Sequence, residues 1–288
     1  MDMDGIVVIG LMIGLFAYSI EYLGKGIQKY SIEGWKADKS VKNKHTGYFI
    51  LGTIMTSSYV FIQWAALFFA PASLIAPLEG LGLVILILFS YSVLKEEITR
   101  VQMAGIVSIL FGIILITIFN PNRGKIQFSD FNQDIFFLFS IILVSVEAIG
   151  IIISKLNDYK AAGLIIGTTA GTFMALQTIT KRITAIPNPL LATIFTFISF
   201  AVTTLTFLFT QFAFAKANAN IVVPCFTSAS IIIAVLLGIL GLNEKILLIQ
   251  IFGLIIIILG VILLTTFAEE DVEKSSRLMK GLENESKP

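Results

Sequence analysis

Residues 96–112, EEITRVQMAGIVSILFG, return later in the chain as residues 244–260, EKILLIQIFGLIIIILG. The same offset of 148 positions, without a gap, separates identical residues at Glu96, Ile98, Gln102, Gly105 and Gly112. An acid, an amide and two glycines held at one spacing indicate an internal duplication. Both copies run into long apolar stretches without an alternation of period two, which favours helices over strands. The sequence therefore predicts a duplicated, all-helical protein.

The composition predicts that these helices lie in a membrane. Of the 288 residues, 56% are hydrophobic and 14% are charged, and the mean hydropathy is +0.91. A soluble domain carries about 25% charged residues, and a soluble core of this size could not hide so much apolar surface. The net charge of +1 offers no basic field, so we expect no nucleic-acid partner. With one cysteine, Cys225, and one histidine, His45, the chain lacks the residues for a disulfide framework or a Cys/His metal site.

Nine apolar runs are long enough to cross a bilayer, because a hydrocarbon core of about 30 Å needs about 20 apolar residues per helix. The predicted spans are residues 5–24, 47–69, 72–94, 101–119, 135–154, 161–179, 189–215, 221–240 and 246–267. Residues 1–267 then form a single all-α, polytopic transmembrane domain. Residues 268–288 are charged and without periodicity, which is typical of a frayed cytoplasmic tail.

Lysine and arginine are distributed unevenly between the two sides of this domain. With the amino terminus outside, fifteen bases lie on the inner side and five on the outer side. The five outer bases are Arg123, Lys125, Lys181, Arg182 and Lys245. Because cytoplasmic loops carry the excess of bases, we expect an outer amino terminus, a cytoplasmic carboxyl terminus and a location in the cell membrane.

The duplication extends upstream of residue 96. Gln63-Trp64-Ala65 pairs with Gln211-Phe212-Ala213, and Pro77 pairs with Pro224 when small length differences are allowed. Spans two, three and four thus correspond to spans seven, eight and nine. An offset of five spans places each pair in opposite directions across the membrane, as in the inverted repeats of secondary transporters, which hold a midplane site. We expect repeat one over about residues 5–119 and repeat two over about residues 132–267, with span five or span six matching span one.

Three carboxylates inside the predicted spans are candidate cation contacts. A charge at mid-bilayer costs about 2.5–3.5 kcal/mol on insertion scales, so such a residue usually faces a cavity or a partner. Glu147 lies deepest, on a polar stripe with Ser140 and Ser154. Glu79 follows Pro77, which can kink a helix and free a carbonyl oxygen. Because oxygen ligands suit hard cations such as Mg²⁺, this pattern favours a cation pathway. The alternative is structural: a neutral Glu147 hydrogen-bonded to a neighbouring helix, and Glu79 at a simple kink.

The third carboxylate, Glu21, lies near the inner end of span one, four residues before Lys25. An interfacial ion pair and a cation vestibule explain it equally well. Gln63 and Gln211 are related by the repeat and are expected to face inward. We expect these two amides to line the transport pathway together with the paired prolines, Pro77 and Pro224.

Catalytic motifs do not occur in the sequence. There is no nucleophile–base pair, no phosphate-binding glycine loop and no HExxH-type metal motif, and His45 lies in a predicted loop. No ATP-binding domain follows the apolar runs, which argues against a self-contained primary pump. We therefore expect a protein that is not an enzyme and that carries no cofactor.

Two segments carry a family resemblance. Phe69-Ala70-Pro71-Ala72-Ser73-Leu74-Ile75-Ala76-Pro77-Leu78, followed by Leu94-Lys95-Glu96-Glu97, resembles the drug/metabolite transporter superfamily, the EamA-like proteins. The sequence of this first segment is most similar to the NIPA-type magnesium transporter branch, and the nine-span count also fits that branch. Two further segments are similar to it in placement: Gly24-Lys25-Gly26-Ile27 and Phe214-Ala215-Lys216-Ala217-Asn218. The resemblance covers about residues 5–267 and adds Asn218 to the expected pathway. The branch commonly reads PLGAL where residues 77–81 read PLEGL, so Glu79 is an additional acid.

By resemblance, the implied function is the transport of a divalent cation, Mg²⁺, across the lipid bilayer without ATP hydrolysis, the ion being the substrate. The alternative is an exporter of a small organic solute on the same fold, with a wider, aromatic-lined cavity. A proton-coupled version would use Glu147 as a titrating carrier. A scaffold or receptor without transport would leave the buried acids without a purpose. The oligomeric state does not follow from the sequence.

Overall fold

The computed structural model describes residues 3–37, 42–95, 98–122, 125–157, 162–216 and 219–266. Over these ranges the chain is helical and forms no strand, as the apolar runs predict. The α-helices are α1 (Met3–Ala37), α2 (Lys42–Phe69), α3 (Ala72–Ile75), α4 (Leu78–Phe89), α5 (Arg100–Ile118), α6 (Gln133–Leu156), α7 (Ala162–Ile183), α8 (Pro189–Lys216), α9 (Ala219–Leu242) and α10 (Leu248–Thr266). A π-helical turn, Ser90–Leu94, extends α4, and a 3₁₀ turn, Phe128–Asp130, precedes α6.

Seven helical segments have the length and apolar composition to cross a membrane. They are Gly5–Ser31, Lys44–Phe69, Ala72–Val93, Arg100–Ile118, Gln133–Leu156, Pro189–Ala213 and Val222–Leu242. The predicted sixth and ninth spans coincide with α7 and α10. The apolar stretch of α10, Leu248–Leu264, is shorter, and α7 carries many threonines and glycines. Seven of the nine predicted spans are therefore supported by length and composition.

The third predicted span is broken beside its proline. Ala76 and Pro77 separate α3 from α4, because Pro77 has no N–H with which to continue the backbone hydrogen bonds of α3. The chain resumes at once, since Gly80 N donates to Pro77 O at 3.1 Å. Residues 71–80 are all buried, so this break lies inside the helix bundle.

Paired glycines set the crossing of α5 and α10. A Cβ atom added to Gly112 would lie 2.6 Å from Gly253 O, and one added to Gly105 would lie 2.9 Å from Gly260 O. In return, a Cβ atom added to Gly253 would lie 3.0 Å from Gly112 O, and one added to Gly260 would lie 2.9 Å from Gly105 O. Larger side chains would push the two backbones apart. Because residue numbers rise along one helix as they fall along the other, α5 and α10 are antiparallel.

The remaining long helices form two similar groups. In the first, α1 packs against α2 and α4; in the second, α7 packs against α8 and α9. Helix α6 lies at the edge of the bundle, and Phe136 and Ser154 are its buried residues. In its packing α7 therefore resembles α1, whereas α6 is peripheral.

Helix α7 runs through the centre of the bundle, and every residue from 169 to 184 is buried. This corrects the placement of Lys181 and Arg182, which the sequence assigned to an outer loop. Lys181 is 0% exposed and Arg182 is 2% exposed. Two bases that follow an apolar run are typical of a span that ends in water. Here, however, their hydrogen-bond acceptors are groups on α2 rather than water. Arg182 Nη1 donates to Leu67 O at 2.6 Å, and Lys181 Nζ donates to Gln63 Oε1 at 2.8 Å.

Candidate functional site

A group of buried polar side chains lies where the two halves of the chain meet. Helices α1, α2 and α4 supply its members from the first half, and α7 and α9 supply them from the second. We call these residues the central polar cluster: Tyr18, Glu21, Tyr22, Tyr59, Gln63, Glu79, Thr178, Lys181, Thr227 and Ser230. Each is at most 9% exposed, so the structure holds the cluster occluded.

Gln63 connects three helices within this cluster. Its Nε2 atom donates to Tyr18 Oη at 3.1 Å and to Thr178 Oγ1 at 3.3 Å, while its Oε1 atom accepts from Lys181 Nζ at 2.8 Å. Lys181 Nζ also lies 5.7 Å from the centre of the Tyr59 ring, within the range of a cation–π interaction. The predicted inward orientation of Gln63 is confirmed, since it is 0% exposed.

Glu79 lies at the start of α4, directly after the break at Pro77. The Ser230 hydroxyl, from α9, donates to its carboxylate. Its charged neighbours are Glu21 and Lys25. Hydrogen bonding from α9 compensates part of the cost of burying this carboxylate. The sequence indicated a buried acid beside a helix break, and the structure adds its partner from the other half.

The surroundings of Glu21 have features both of an ion pair with Lys25 and of a site open to a cation, the two interpretations that the sequence left open. Its Oε1 atom forms an ion pair with Lys25 Nζ at 2.8 Å, and Lys25 Nζ also lies 4.0 Å from the centre of the Tyr22 ring. Its buried Oε2 atom has no hydrogen-bond partner among the residues that the structure describes. One oxygen is thus used by the ion pair with Lys25, and the other is buried without a hydrogen-bond partner among the described residues.

The aromatic ring of Tyr22 fills the space beside Glu79 because α4 carries glycine there. A Cβ atom on Gly82 would clash directly with the Tyr22 ring. Any side chain at residue 82 would therefore displace this ring from the cluster. The PLEGL segment and Gly82 together let α1 and α4 approach closely around Glu79.

Glu147 lies apart from these residues. It is half-buried on the peripheral helix α6, where the Thr172 hydroxyl of α7 donates to its Oε1 atom. Its Oε2 atom has no hydrogen-bond partner in the described part of the chain. The structure therefore brings Glu21 and Glu79 together in the central polar cluster and places Glu147 on the far side of α7.

The other predicted pathway residues have varied positions. Pro77 is buried at the break between α3 and α4, and Pro224 is buried inside α9. Gln211, on α8, is exposed and lies outside the cluster, so the predicted inward orientation is wrong for this residue. Asn218 lies outside the described residues.

A polar vestibule of about 350 Å³ adjoins the end of α7. Its lining includes Lys125, Asp130, Arg182, Glu244 and Lys245. Glu244 also binds α3, because its Oε1 and Oε2 atoms accept hydrogen bonds from Ala72 N at 2.8 Å and Ser73 N at 2.9 Å. The sequence places Glu244 at a helix end but does not indicate this contact, because Ser73 and Glu244 are 171 residues apart. Arg182 and Lys181 are adjacent, so α7 connects the vestibule to the central polar cluster.

A larger groove lies on the outer surface of the bundle. Its volume is about 750 Å³, and it is lined mainly by apolar and aromatic side chains, including Phe61, Trp64, Phe68 and Phe69. Phe61 is 61% exposed and Phe68 is 47% exposed, so the groove opens toward the surrounding lipid. None of the three candidate carboxylates contributes to it.

A family model described as "Magnesium transporter NIPA" matches residues 26–181. The match covers more than half of the chain and includes Gln63, Glu79, Glu147 and Lys181. The chain belongs to the NIPA magnesium transporter family. This family is part of the EamA-like superfamily, which agrees with the resemblance of residues 69–78. No solved structure matches the chain.

Family membership and the apolar helices together identify an integral membrane protein that transports a cation. In this NIPA-family chain, no three His, Cys, Asp or Glu residues within the described ranges approach closely enough to form a metal cage. The residues that could contact a cation are instead a pair of carboxylates, Glu21 and Glu79, surrounded by hydroxyl and amide groups. Such a set can hold an ion that keeps part of its water shell.

Proposed function

We propose that this NIPA-family protein carries Mg²⁺ through the central polar cluster. The observation that carries the proposal is the burial of two acids, Glu21 and Glu79, between helices from both halves of the chain. Mg²⁺ dehydrates reluctantly and is commonly held by one or two carboxylates plus water. Two acids with nearby hydroxyl groups therefore suffice for a transient site, which a transporter must also be able to release.

Glu147 provides a second point of attraction in this proposal. Its Oε2 atom, which has no hydrogen-bond partner among the described residues, belongs to α6, across α7 from the cluster. A cation passing along α7 would meet Glu147 and the Glu21–Glu79 pair in turn. Gln63, Pro77, Asn218 and Pro224 complete the proposed pathway, whereas the exposed Gln211 lies outside it.

The same proposal includes nine membrane spans arranged as an inverted repeat. Lys95 and Asn243, 148 residues apart, both have left-handed backbones, with φ of 61° and 53°. Gln102 Oε1 accepts from Thr99 N at 2.9 Å, and Gln250 Oε1 accepts from Leu247 N at 3.0 Å. The duplicated residues thus form the same local structure twice, once at the start of α5 and once at the start of α10.

A further match supports α7 as the counterpart of α1. Ile9, Gly10, Gly14 and Phe16 have the same spacing as Ile166, Gly167, Gly171 and Phe173. Gly14 packs against Leu78 of α4, and Gly171 packs against Phe226 of α9. The proposal therefore treats α6 as the unpaired helix and pairs span six, rather than span five, with span one.

The proposed orientation keeps the amino terminus outside. With Lys181 and Arg182 buried, the outer side retains three bases, Arg123, Lys125 and Lys245, against fifteen inside. The polar vestibule, which includes Lys125 and Lys245, then opens to the outside, and the carboxyl terminus is cytoplasmic.

The test is Mg²⁺ uptake into liposomes that contain the purified protein, with and without a pH gradient and with competing ions. We expect Glu79→Gln and Glu147→Gln each to lower uptake about tenfold or more, since a hydrogen-bonded charge contributes about 1.5–3 kcal/mol. Glutamine keeps the shape of each side chain while removing its charge. As a matched control, Asp134→Asn removes an exposed acid of α6 and should leave uptake unchanged. Parent-level uptake by two well-folded glutamine variants would make these acids structural.

The alternative, export of a small organic solute, is supported by the aromatic groove of about 750 Å³. Its opening toward lipid and its lack of acidic residues suit an apolar molecule better than a cation. Saturable uptake of an organic solute that Trp64→Ala abolishes, without any Mg²⁺ flux in the parent protein, would favour this alternative.

A further inference from the structure

We propose that the Lys181 ammonium group is a tethered cation, which competes with the transported ion for the acidic side chains of the central polar cluster. This inference rests on the proposed function, since it assigns Lys181 a role in setting the affinity of the same site. Lys181 would thereby determine how tightly the divalent cation is held.

The position of Lys181 is the first argument. Its side chain is 0% exposed, so the ammonium group does not reach bulk water. The ammonium has three N–H donors, and among the described residues one of them has an acceptor, Gln63 Oε1 at 2.8 Å. The Tyr59 ring, 5.7 Å away, adds a cation–π contact. One hydrogen bond and one ring compensate only part of the cost of burying a cation, so these contacts give Lys181 a weak structural role.

The charges around Lys181 are the second argument. Lys181 Nζ lies 5.7 Å from the centre of the Tyr59 ring, and Gln63 connects it to Tyr18, which precedes Glu21 by three residues on α1. Of the two acids, Glu21 is the one whose charge acts on Lys181. Lys25 pairs with Glu21 at the edge of the cluster and stays partly exposed. Within the central polar cluster, the buried ionisable residues are thus two acids, Glu21 and Glu79, and one base, Lys181. Without a bound ion, Lys181 balances part of the negative charge that attracts a divalent cation.

Gln63 provides the contact that holds Lys181 in this position. Because its Nε2 atom is fixed by Tyr18 and Thr178, its Oε1 atom points toward Lys181. The long, flexible lysine side chain can move away from this single acceptor when a divalent cation enters. Each entry of the ion would then have to overcome repulsion from Lys181, which weakens binding and favours release.

The experiment measures Mg²⁺ binding to the purified full-length protein by isothermal titration calorimetry, alongside liposome uptake. We expect Lys181→Met to bind Mg²⁺ about tenfold more tightly, because it removes a like charge near the ion. Lys181→Gln keeps a donor for Gln63 and should show the same gain. Lys181→Arg keeps the charge and should stay within about twofold of the parent. Lys155→Met, which removes an exposed lysine of α6, is the matched control.

A gain in affinity distinguishes this role from a structural one, since loss of a structural contact would weaken binding or unfold the protein. Unchanged or weaker binding by a folded Lys181→Met or Lys181→Gln would overturn the inference. So would the failure of both neutral variants to fold while Lys181→Arg folds, because the charge would then serve folding. If the parent protein itself neither binds nor transports Mg²⁺, the proposed function fails instead.

Discussion

Ser230 shows how one hydroxyl group can support a buried acid. It lies on α9 and donates to the Glu79 carboxylate, so it connects the second half of the chain to the break in the third span. Ser228, two residues earlier, offers a natural comparison. Its buried hydroxyl has no hydrogen-bond partner within the described ranges.

We expect Ser230→Ala to lower Mg²⁺ uptake about threefold to tenfold, because a hydrogen bond to a charged group contributes about 1.5–3 kcal/mol and water can replace only part of it. Ser228→Ala removes a hydroxyl without such a bond and should leave uptake close to the parent rate. Initial rates at several Mg²⁺ concentrations provide the measurement. Equal rates for both variants would mean that Ser230 does not support Glu79 during transport.

At the scale of the helices, Glu244 connects the segment before α10 to the start of α3. Both of its oxygens accept backbone hydrogen bonds, from Ala72 and Ser73, which α3 would otherwise leave unsatisfied. Because Glu244 is 8% exposed, water cannot easily replace it. The carboxylate thus fixes the start of the broken third span against the connection between α9 and α10.

Glu244→Ala should lower the stability of the folded protein by about 1–2 kcal/mol, since it removes a charged cap from buried N–H groups. The neighbouring Lys245→Ala keeps the backbone hydrogen bonds of residue 245 and removes an exposed side chain, so it should stay within about 0.5 kcal/mol of the parent. Thermal unfolding in detergent would compare the two variants. The interpretation fails if they melt together.

For the whole molecule, the orientation can be tested with single cysteines in a Cys225→Ala background. We expect Lys125→Cys, in the polar vestibule, to react with a membrane-impermeant thiol reagent applied to intact cells. Cysteines at Lys36 and Ser276 should react only after the cells are opened, because the bases predict that both positions are cytoplasmic. Labelling of Lys36 and Ser276 from outside, with none at Lys125, would reverse the orientation.

The sequence predicts the helices well because hydropathy is local. The predicted span 135–154 lies within α6, Gln133–Leu156, and the predicted break at Pro77 is present. Side-chain partners depend on packing between distant segments, and here the sequence says less. It indicates that Glu79 is buried but not that Ser230 binds it, and it misplaces Lys181, whose partner Gln63 is 118 residues away. From the local pattern alone, the charged residues on the buried helix α7 are indistinguishable from those that follow the end of a membrane span.

The contrast between α6 and α7 has a consequence for how the protein is made. Helix α6 is apolar on almost every side, so it can leave the translocation machinery for lipid as soon as it is synthesised. Helix α7 carries Lys181, Arg182 and several threonines, and it does not reach the apolar composition of a self-inserting segment. It therefore needs protein surroundings at the moment of insertion. Helix α6, which is made immediately before it, offers such surroundings, and Thr172 of α7 donates a hydrogen bond to Glu147 there.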